Sequence, residues 1–74
     1  MDIYYTNETL YVKLKDINTR TMNIMQKRVL RIVDDYDIDN IVVKVPSPLD
    51  ATNDLFASFV NAYRKKHNGN LKIL

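Results

Sequence analysis

The chain has 74 residues, a length that supports one domain and excludes enzymes of the Rossmann or TIM-barrel type. It has no cysteine, which excludes disulfide scaffolds, thiol catalysis and cysteine-ligated metal sites. Its 11 basic and 9 acidic side chains give a net charge of +2, well short of a dedicated nucleic-acid binder. We expect residues 1–74 to form a single compact domain. Association with a partner is also expected, because a core this small gives limited stability.

The N-terminal residues predict a β-hairpin. Residues 3–5 are β-prone, residues 6–9 have the composition of a polar turn, and residues 10–15 alternate apolar and polar side chains. Successive side chains of a strand point to opposite faces. The alternation therefore turns Leu10, Val12 and Leu14 to the core and the residues between them to the other face.

An amphipathic helix is predicted to begin at Thr19. Apolar side chains recur there at steps of three and four residues, and they are Met22, Met25, Val29, Ile32, Val33 and Tyr36. Asn18 or Thr19 can cap the first N–H groups. We expect the helix to end near residues 34–37, because aspartates are poor helix formers and are unfavourable at the negative end of the helix dipole.

The remaining residues predict a strand, a second helix and a last strand. Residues 41–45 are largely β-branched, which is typical of a central strand, and a segment with two prolines ends it. One face of the second helix holds Leu55, Phe56, Phe59, Val60 and Tyr63. Gly69 follows where a left-handed residue commonly ends a helix, and residues 71–74 form the last strand.

The order of these elements is ββαβαβ, which predicts an α/β fold of the α+β sandwich kind. Each parallel pair of strands is joined through a helix, and such crossovers are right-handed. We therefore expect a four-stranded mixed sheet with both helices packed on one face.

This pattern resembles the STAS domain, the fold of bacterial anti-sigma factor antagonists and of sulfate-transporter cytoplasmic tails. The resemblance covers residues 8–74 and rests on the hairpin and first helix, on the strand at 41–45, and on Leu49-Asp50-Ala51-Thr52-Asn53 at the start of the second helix. In that family an Asp-Ser-Ser/Thr-Gly loop carries a phosphorylated serine. Here Ala51 stands at the serine, Thr52 keeps the next hydroxyl and Asn53 replaces the glycine. The resemblance thus implies a phosphorylation switch that is lost or moved.

The first candidate site is the 46–54 loop. It lies at the carboxyl end of a central strand and at the start of a helix, where open α/β sheets commonly bind ligands. We expect its polar residues to contact a protein partner, with Thr52 a candidate for phosphorylation; they are Ser47, Asp50, Thr52, Asn53 and Asp54. The alternative is that Ser47, Asp50 and Thr52 only cap the helix.

The second candidate site is the face of the sheet turned away from the helices, here called the open face. Its predicted members are Tyr4, Tyr11, Lys13, Val42, Lys44 and Lys72. Tyrosines can stack on bases and lysines can bind phosphates, as in RNA-binding sheets. The same surface is also suited to bury against another protein. A third interpretation is a solvated face whose lysines prevent aggregation.

No arrangement of nucleophile and base suggests catalysis, so we expect no enzymatic activity, cofactor or small-molecule substrate. His67 is the only histidine, and one histidine without cysteines cannot form a zinc site. We expect it on the surface near the end of the second helix. The aspartates of residues 34–39 lack the glycine and the closing glutamate of an EF-hand loop, so we interpret them as a solvated turn and predict no metal site.

The sequence therefore predicts a small non-catalytic regulatory module that binds a protein partner or a second copy of itself. The alternative is an RNA- or ribosome-associated protein that uses the open face. The chain has no signal-peptide pattern and no apolar segment of membrane-spanning length. We expect a soluble, cytoplasmic protein.

Overall fold

A four-stranded mixed sheet organises the chain, whose computed structural model describes residues 1–74 except for the side chain of Ala51. The strands are β1 (Asp2–Thr6), β2 (Thr9–Lys13), β3 (Asn40–Lys44) and β4 (Asn70–Ile73). They lie in the order β1-β2-β3-β4, with β1 antiparallel to β2 and the other two pairs parallel. The mixed sheet and the ββαβαβ order confirm the predicted fold class.

A tight turn joins β1 to β2. Asn7 and Glu8 have φ angles of 51° and 60°, and two successive residues with positive φ are what a type I′ turn requires. The turn pairs Thr6 directly with Thr9. The polar turn predicted over residues 6–9 is therefore reduced to two residues, and both strands extend closer to it than the sequence pattern suggested.

Helix α1 (Thr19–Tyr36) connects β2 to β3 and begins as predicted. The side-chain oxygen of Asn18 accepts a hydrogen bond from the N–H of Thr21 at 2.8 Å, which satisfies one free donor of the first turn. The helix ends where Asp37 takes a left-handed conformation with φ of 54°. No helix that the structure describes is both long enough and apolar enough to cross a membrane.

Helix α2 (Leu55–Lys66) connects β3 to β4, but it does not begin where expected. A separate 3-10 helix, Pro48–Thr52, lies between β3 and α2, so residues 49–53 precede α2 instead of opening it. The side-chain oxygen of Asn53 accepts the N–H of Leu55 at 2.9 Å and caps the helix. The alternative that Ser47, Asp50 or Thr52 supplies this cap is therefore wrong.

One face of the sheet and the inner faces of both helices form the core. The apolar residues that alternate along β2 and β3 are buried as predicted, and α2 contributes aromatic rings that fill the space beneath it. The buried residues include Leu10, Val12, Leu14, Met22, Met25, Val29, Val33, Ile38, Ile41, Val43, Val45, Phe56, Phe59 and Tyr63. Leu71 and Ile73 are only half-buried, because β4 is an edge strand.

Gly69 is required for a reason other than the predicted one. The φ angle of this glycine is not positive, so it does not end the helix in a left-handed conformation. A Cβ atom at this position would overlap the carbonyl oxygen of Asp39 and the hydroxyl of Tyr63. The same carbonyl accepts the hydroxyl of Tyr63 at 3.1 Å and the N–H of Asn70 at 2.7 Å. Gly69 thus permits close contact between the start of β4, the end of α2 and the turn before β3.

Candidate functional site

The 46–54 loop forms hydrogen bonds within itself. The N–H of Asp50 donates to the carbonyl of Ser47 at 2.9 Å, and the N–H of Asn53 donates to the carbonyl of Asp50 at 3.0 Å. The hydroxyl of Thr52 donates to the carbonyl of Leu49 at 2.9 Å. These short-range bonds fix the course of the loop and satisfy polar groups that a turn would otherwise leave to solvent.

Leu49 is the unusual residue of this loop. The residue is 83% exposed, the largest exposed fraction among the large apolar residues described. Pro48 beside it and Thr52 are exposed as well, whereas Asp50 and Asn53 are half-buried. A leucine held in solvent on an internally bonded turn is a ready contact for another apolar surface.

The predicted polar residues of the loop have different positions. Asn53 is occupied as the cap of α2, and Ser47 makes no capping hydrogen bond at the start of the 3-10 helix. Asp54 is exposed at the first residue before α2, and its side chain makes no capping bond. The side chain of Ala51, which the STAS resemblance aligns with the phosphorylated serine, lies outside the described part of the chain.

Thr52 is an exposed residue, so a modifying enzyme can reach it. A phosphoryl group there would replace the hydrogen that the hydroxyl donates to Leu49 and would add negative charge next to Asp50. Asp50 and Asp54 already give this end of α2 negative charge, so a free anion is a poor ligand for it. The loop is better suited to a protein surface than to a phosphate.

The predicted residues of the open face lie together on one side of the sheet. Tyr4 pairs with Tyr11 across β1 and β2, and their rings stack with centroids 5.1 Å apart and an interplanar angle of 12°. In the register of the sheet Lys13 is next to Lys44, and Val42 is next to Lys72. The face therefore combines an aromatic stack with three lysines.

Two open depressions lie on either side of Tyr11 on this face. One, of about 480 Å³, is bordered by Asn40, Asn70 and Lys72. The other, of about 270 Å³, is bordered by Tyr4, Lys13 and Lys44 among others. The side-chain amide of Asn70 donates to the side-chain oxygen of Asn40 at 3.1 Å. The open face thus has two asparagines and one lysine beside one depression and two lysines beside the other.

His67 lies at the end of α2 as predicted, but its side chain is largely covered and has specific partners. Its ring nitrogen Nε2 is 2.9 Å from Oδ1 of Asp34, its side chain is only 13% exposed, and its ring stacks on Tyr63 at 5.5 Å. The hydrogen bond from His67 is the main cause of a lowered pKa at Asp34. The ammonium of Lys66, 3.6 Å away, also lowers this pKa, whereas partial desolvation raises it. This cluster ties the ends of α1 and α2 together.

Within the described residues, no group of three or more histidine or acidic side chains is placed to hold a metal ion.

A further surface was not predicted. Tyr5, Ile32, Tyr36 and Ile38 line an apolar groove of about 330 Å³ between β1 and the last turns of α1, here called the β1–α1 groove. Tyr36 was assigned to the apolar stripe of the first helix, but the residue is 76% exposed. The prediction is wrong for this residue: Val33 before it and Ile38 after it are buried, but Tyr36 in the last turn of α1 is exposed.

Comparisons of the chain with family models, with curated proteins and with solved structures found no match. The resemblance to the STAS domain therefore stays a prediction based on the sequence pattern. The assignment of a function depends on the surfaces described above.

Proposed function

We propose that the chain is a small, non-catalytic, cytoplasmic interaction module of STAS-like fold that binds a protein partner through the 46–54 loop. The observation that carries the proposal is the exposure of Leu49 on a turn held by its own hydrogen bonds. Such a turn loses little conformational entropy on binding, since its backbone is already ordered.

The chemistry of the loop supports a protein as the occupant. Leu49 supplies an apolar contact, and Asp50, Thr52 and Asp54 around it supply polar contacts of the kind found at the rim of an interface. The aspartates disfavour nucleic acid and free phosphate at this position. The STAS resemblance supports the same surface, because the family's phosphorylated serine aligns with this loop. Phosphorylation of Thr52 is the regulatory step that we propose for it.

The proposal is tested by isolating the tagged chain from its own cells and comparing variants. The L49S variant removes the apolar contact without opening the core, because the leucine is exposed. The I24S variant is the matched control, since Ile24 is an exposed apolar residue of α1 away from the loop. We expect a stoichiometric partner with the wild type and with I24S but not with L49S. Equal recovery of the partner with all three proteins would refute docking through the loop.

A second candidate function is the binding of single-stranded RNA by the open face. The stack of Tyr4 on Tyr11 favours it, because bases can continue such a stack and the lysines beside it attract phosphates. Size-exclusion chromatography with absorbance at two wavelengths separates the candidates. Nucleic acid that elutes with the purified chain would favour this second function, and a nucleic-acid-free complex with protein would favour the first.

A further inference from the structure

The β1–α1 groove combines an apolar pocket with a free strand edge. Tyr5 of β1 and Tyr36 of α1 form its exposed walls, with exposed fractions of 57% and 76%. Ile38 is buried beneath them and Ile32 is half-buried. The groove is about 330 Å³ in volume, which is room for one or two apolar side chains but not for a folded element.

The backbone of Tyr5 faces outward at this same place. β1 is the first strand in the sheet order, so β2 pairs with one of its edges only. The two-residue turn pairs Thr6 with Thr9, and the alternation of an antiparallel ladder then turns the N–H and C=O groups of Ile3 and Tyr5 to the free edge. Tyr5 therefore offers both a wall of the pocket and unpaired strand hydrogen-bonding groups.

Exposed aspartates are the neighbours in the chain of two residues that line the groove. Asp35 and Asp37 flank Tyr36 in the chain, and Asp37 and Asp39 flank Ile38. Among the described residues, the only ion pair formed by these three aspartates is Asp35 with Arg31, whose atoms are 4.0 Å apart at the exposed surface. An exposed pair of this length neutralises little charge. The groove is lined by apolar and aromatic residues, and the segment 35–39 that contributes two of them has three exposed carboxylates.

We propose that the β1–α1 groove binds an extended segment of a partner protein in which an apolar residue is flanked by lysine or arginine. The segment adds to the sheet as a strand beside β1, so that main-chain bonds supply affinity and the pocket selects the side chain. Its basic residues lie against Asp35, Asp37 and Asp39. The inference rests on the proposed role as a protein-interaction module, but it does not depend on the 46–54 loop.

The charge of the groove argues against two other occupants. Nucleic acid would bring phosphates against the aspartates, which is unfavourable. A second copy placed symmetrically would bring its own acidic 35–39 segment towards that of the first copy, because a two-fold interface brings identical patches together. Like charges across an interface are costly. A basic extended segment meets neither objection.

A displayed library of random peptides tests the proposal without a known partner. The library is selected on the full wild-type chain, and the enriched sequences are then measured against purified variants. We expect an apolar residue between basic ones, without a helical period. We also expect backbone resonances of β1 and of the end of α1 to shift when a synthetic peptide of the enriched sequence is added.

Two variants and three controls decide the outcome. Y36S removes an exposed wall of the groove. D37N removes a negative charge, and asparagine tolerates the left-handed conformation that Asp37 adopts. Each substitution should lower the affinity for the peptide by about tenfold. I24S and D16N, at an exposed apolar and an exposed acidic residue outside the groove and the loop, are the matched controls and should bind as the wild type does. L49S should also bind normally, which separates this inference from docking through the loop.

The opposite results overturn the inference. No enrichment, an acidic or helical consensus, or unchanged binding to Y36S would each exclude a basic strand in the groove. If L49S alone lost binding of the peptide, the groove would also be excluded as its site, and the 46–54 loop would be supported as the protein-binding surface.

Discussion

The ring of His67 lies 2.9 Å from Oδ1 of Asp34, and this contact joins the C-terminal ends of the two helices. The histidine also stacks on Tyr63, whose hydroxyl reaches the carbonyl of Asp39 before β3. One short network therefore connects α1, α2 and the turn that leads into the central strand. We regard it as a structural link, since it lies away from the 46–54 loop and the open face.

The first prediction concerns the dependence of stability on pH. The hydrogen bond from His67 holds the pKa of Asp34 below its ordinary value of 3.8. A carboxyl group with a lowered folded-state pKa stabilises the fold above its unfolded pKa, and this contribution disappears as the pH falls through the folded value. D34N should therefore unfold at lower urea concentration than the wild type at neutral pH, and the difference should vanish in acid.

The matched control for this measurement is D35N, because Asp35 is the neighbouring aspartate and its only ion pair among the described residues is the long exposed one to Arg31. It should change the urea midpoint less than D34N does at neutral pH. If wild type and D34N differed by the same amount at every pH, the contact with His67 would not be the source of the difference.

The second prediction concerns Gly69. G69A places a methyl group against the carbonyl of Asp39 and the hydroxyl of Tyr63, so the start of β4 has to shift. Overpacking of this kind costs about 1–3 kcal/mol of unfolding free energy. N68A is the control, because Asn68 is an exposed neighbour. Equal urea midpoints for the two variants would contradict the close contact described here.

The third prediction separates capping from binding in the 46–54 loop. N53A removes the acceptor for the N–H of Leu55 and should lower the unfolding free energy by about 0.5–2 kcal/mol. N53S and N53D keep a capping oxygen and should retain most of the stability. N61A, on the exposed face of α2, should leave it nearly unchanged. If N53A lowered the unfolding free energy by no more than N61A does, Asn53 would not be the cap of α2.

The fourth prediction concerns the open face. The double variant Y11S/K13E removes one ring of the aromatic stack and reverses a neighbouring charge. If the face binds single-stranded RNA, this variant should lose the binding of a fluorescent oligouridine in a polarisation titration. L49S should bind it as the wild type does. Binding of a protein partner to the loop should be the same in Y11S/K13E as in the wild type.

Local patterns in the sequence predict most of the fold. The period of two in residues 10–15 and the β-branched residues of 41–45 are sufficient to assign β2 and β3 and to separate the core from the open face. Asn18 is recognisable as a cap because it directly precedes an apolar helical period. These features depend on neighbours within a few positions, so a single sequence contains the information.

Features that depend on distant residues could not be predicted. Gly69 is required because Asp39, thirty positions earlier, approaches its backbone, and no local pattern shows that approach. The start of α2 was missed for a local reason: the 3-10 helix moves it to Leu55, and several side chains of this segment are of a type that can cap a helix. Tyr36 follows the helical period, but whether a residue of the last turn is covered depends on which other elements pack against it. The β1–α1 groove was missed for the same reason.

The most direct test of the account is photo-crosslinking in living cells. A benzoyl-phenylalanine replaces Leu49 in one strain, Tyr11 in a second and Ile24 in a third, and the adducts are identified after irradiation. The account predicts a discrete protein adduct from position 49 and none of comparable yield from position 24. An RNA adduct from position 11, with no protein adduct from position 49, would contradict it.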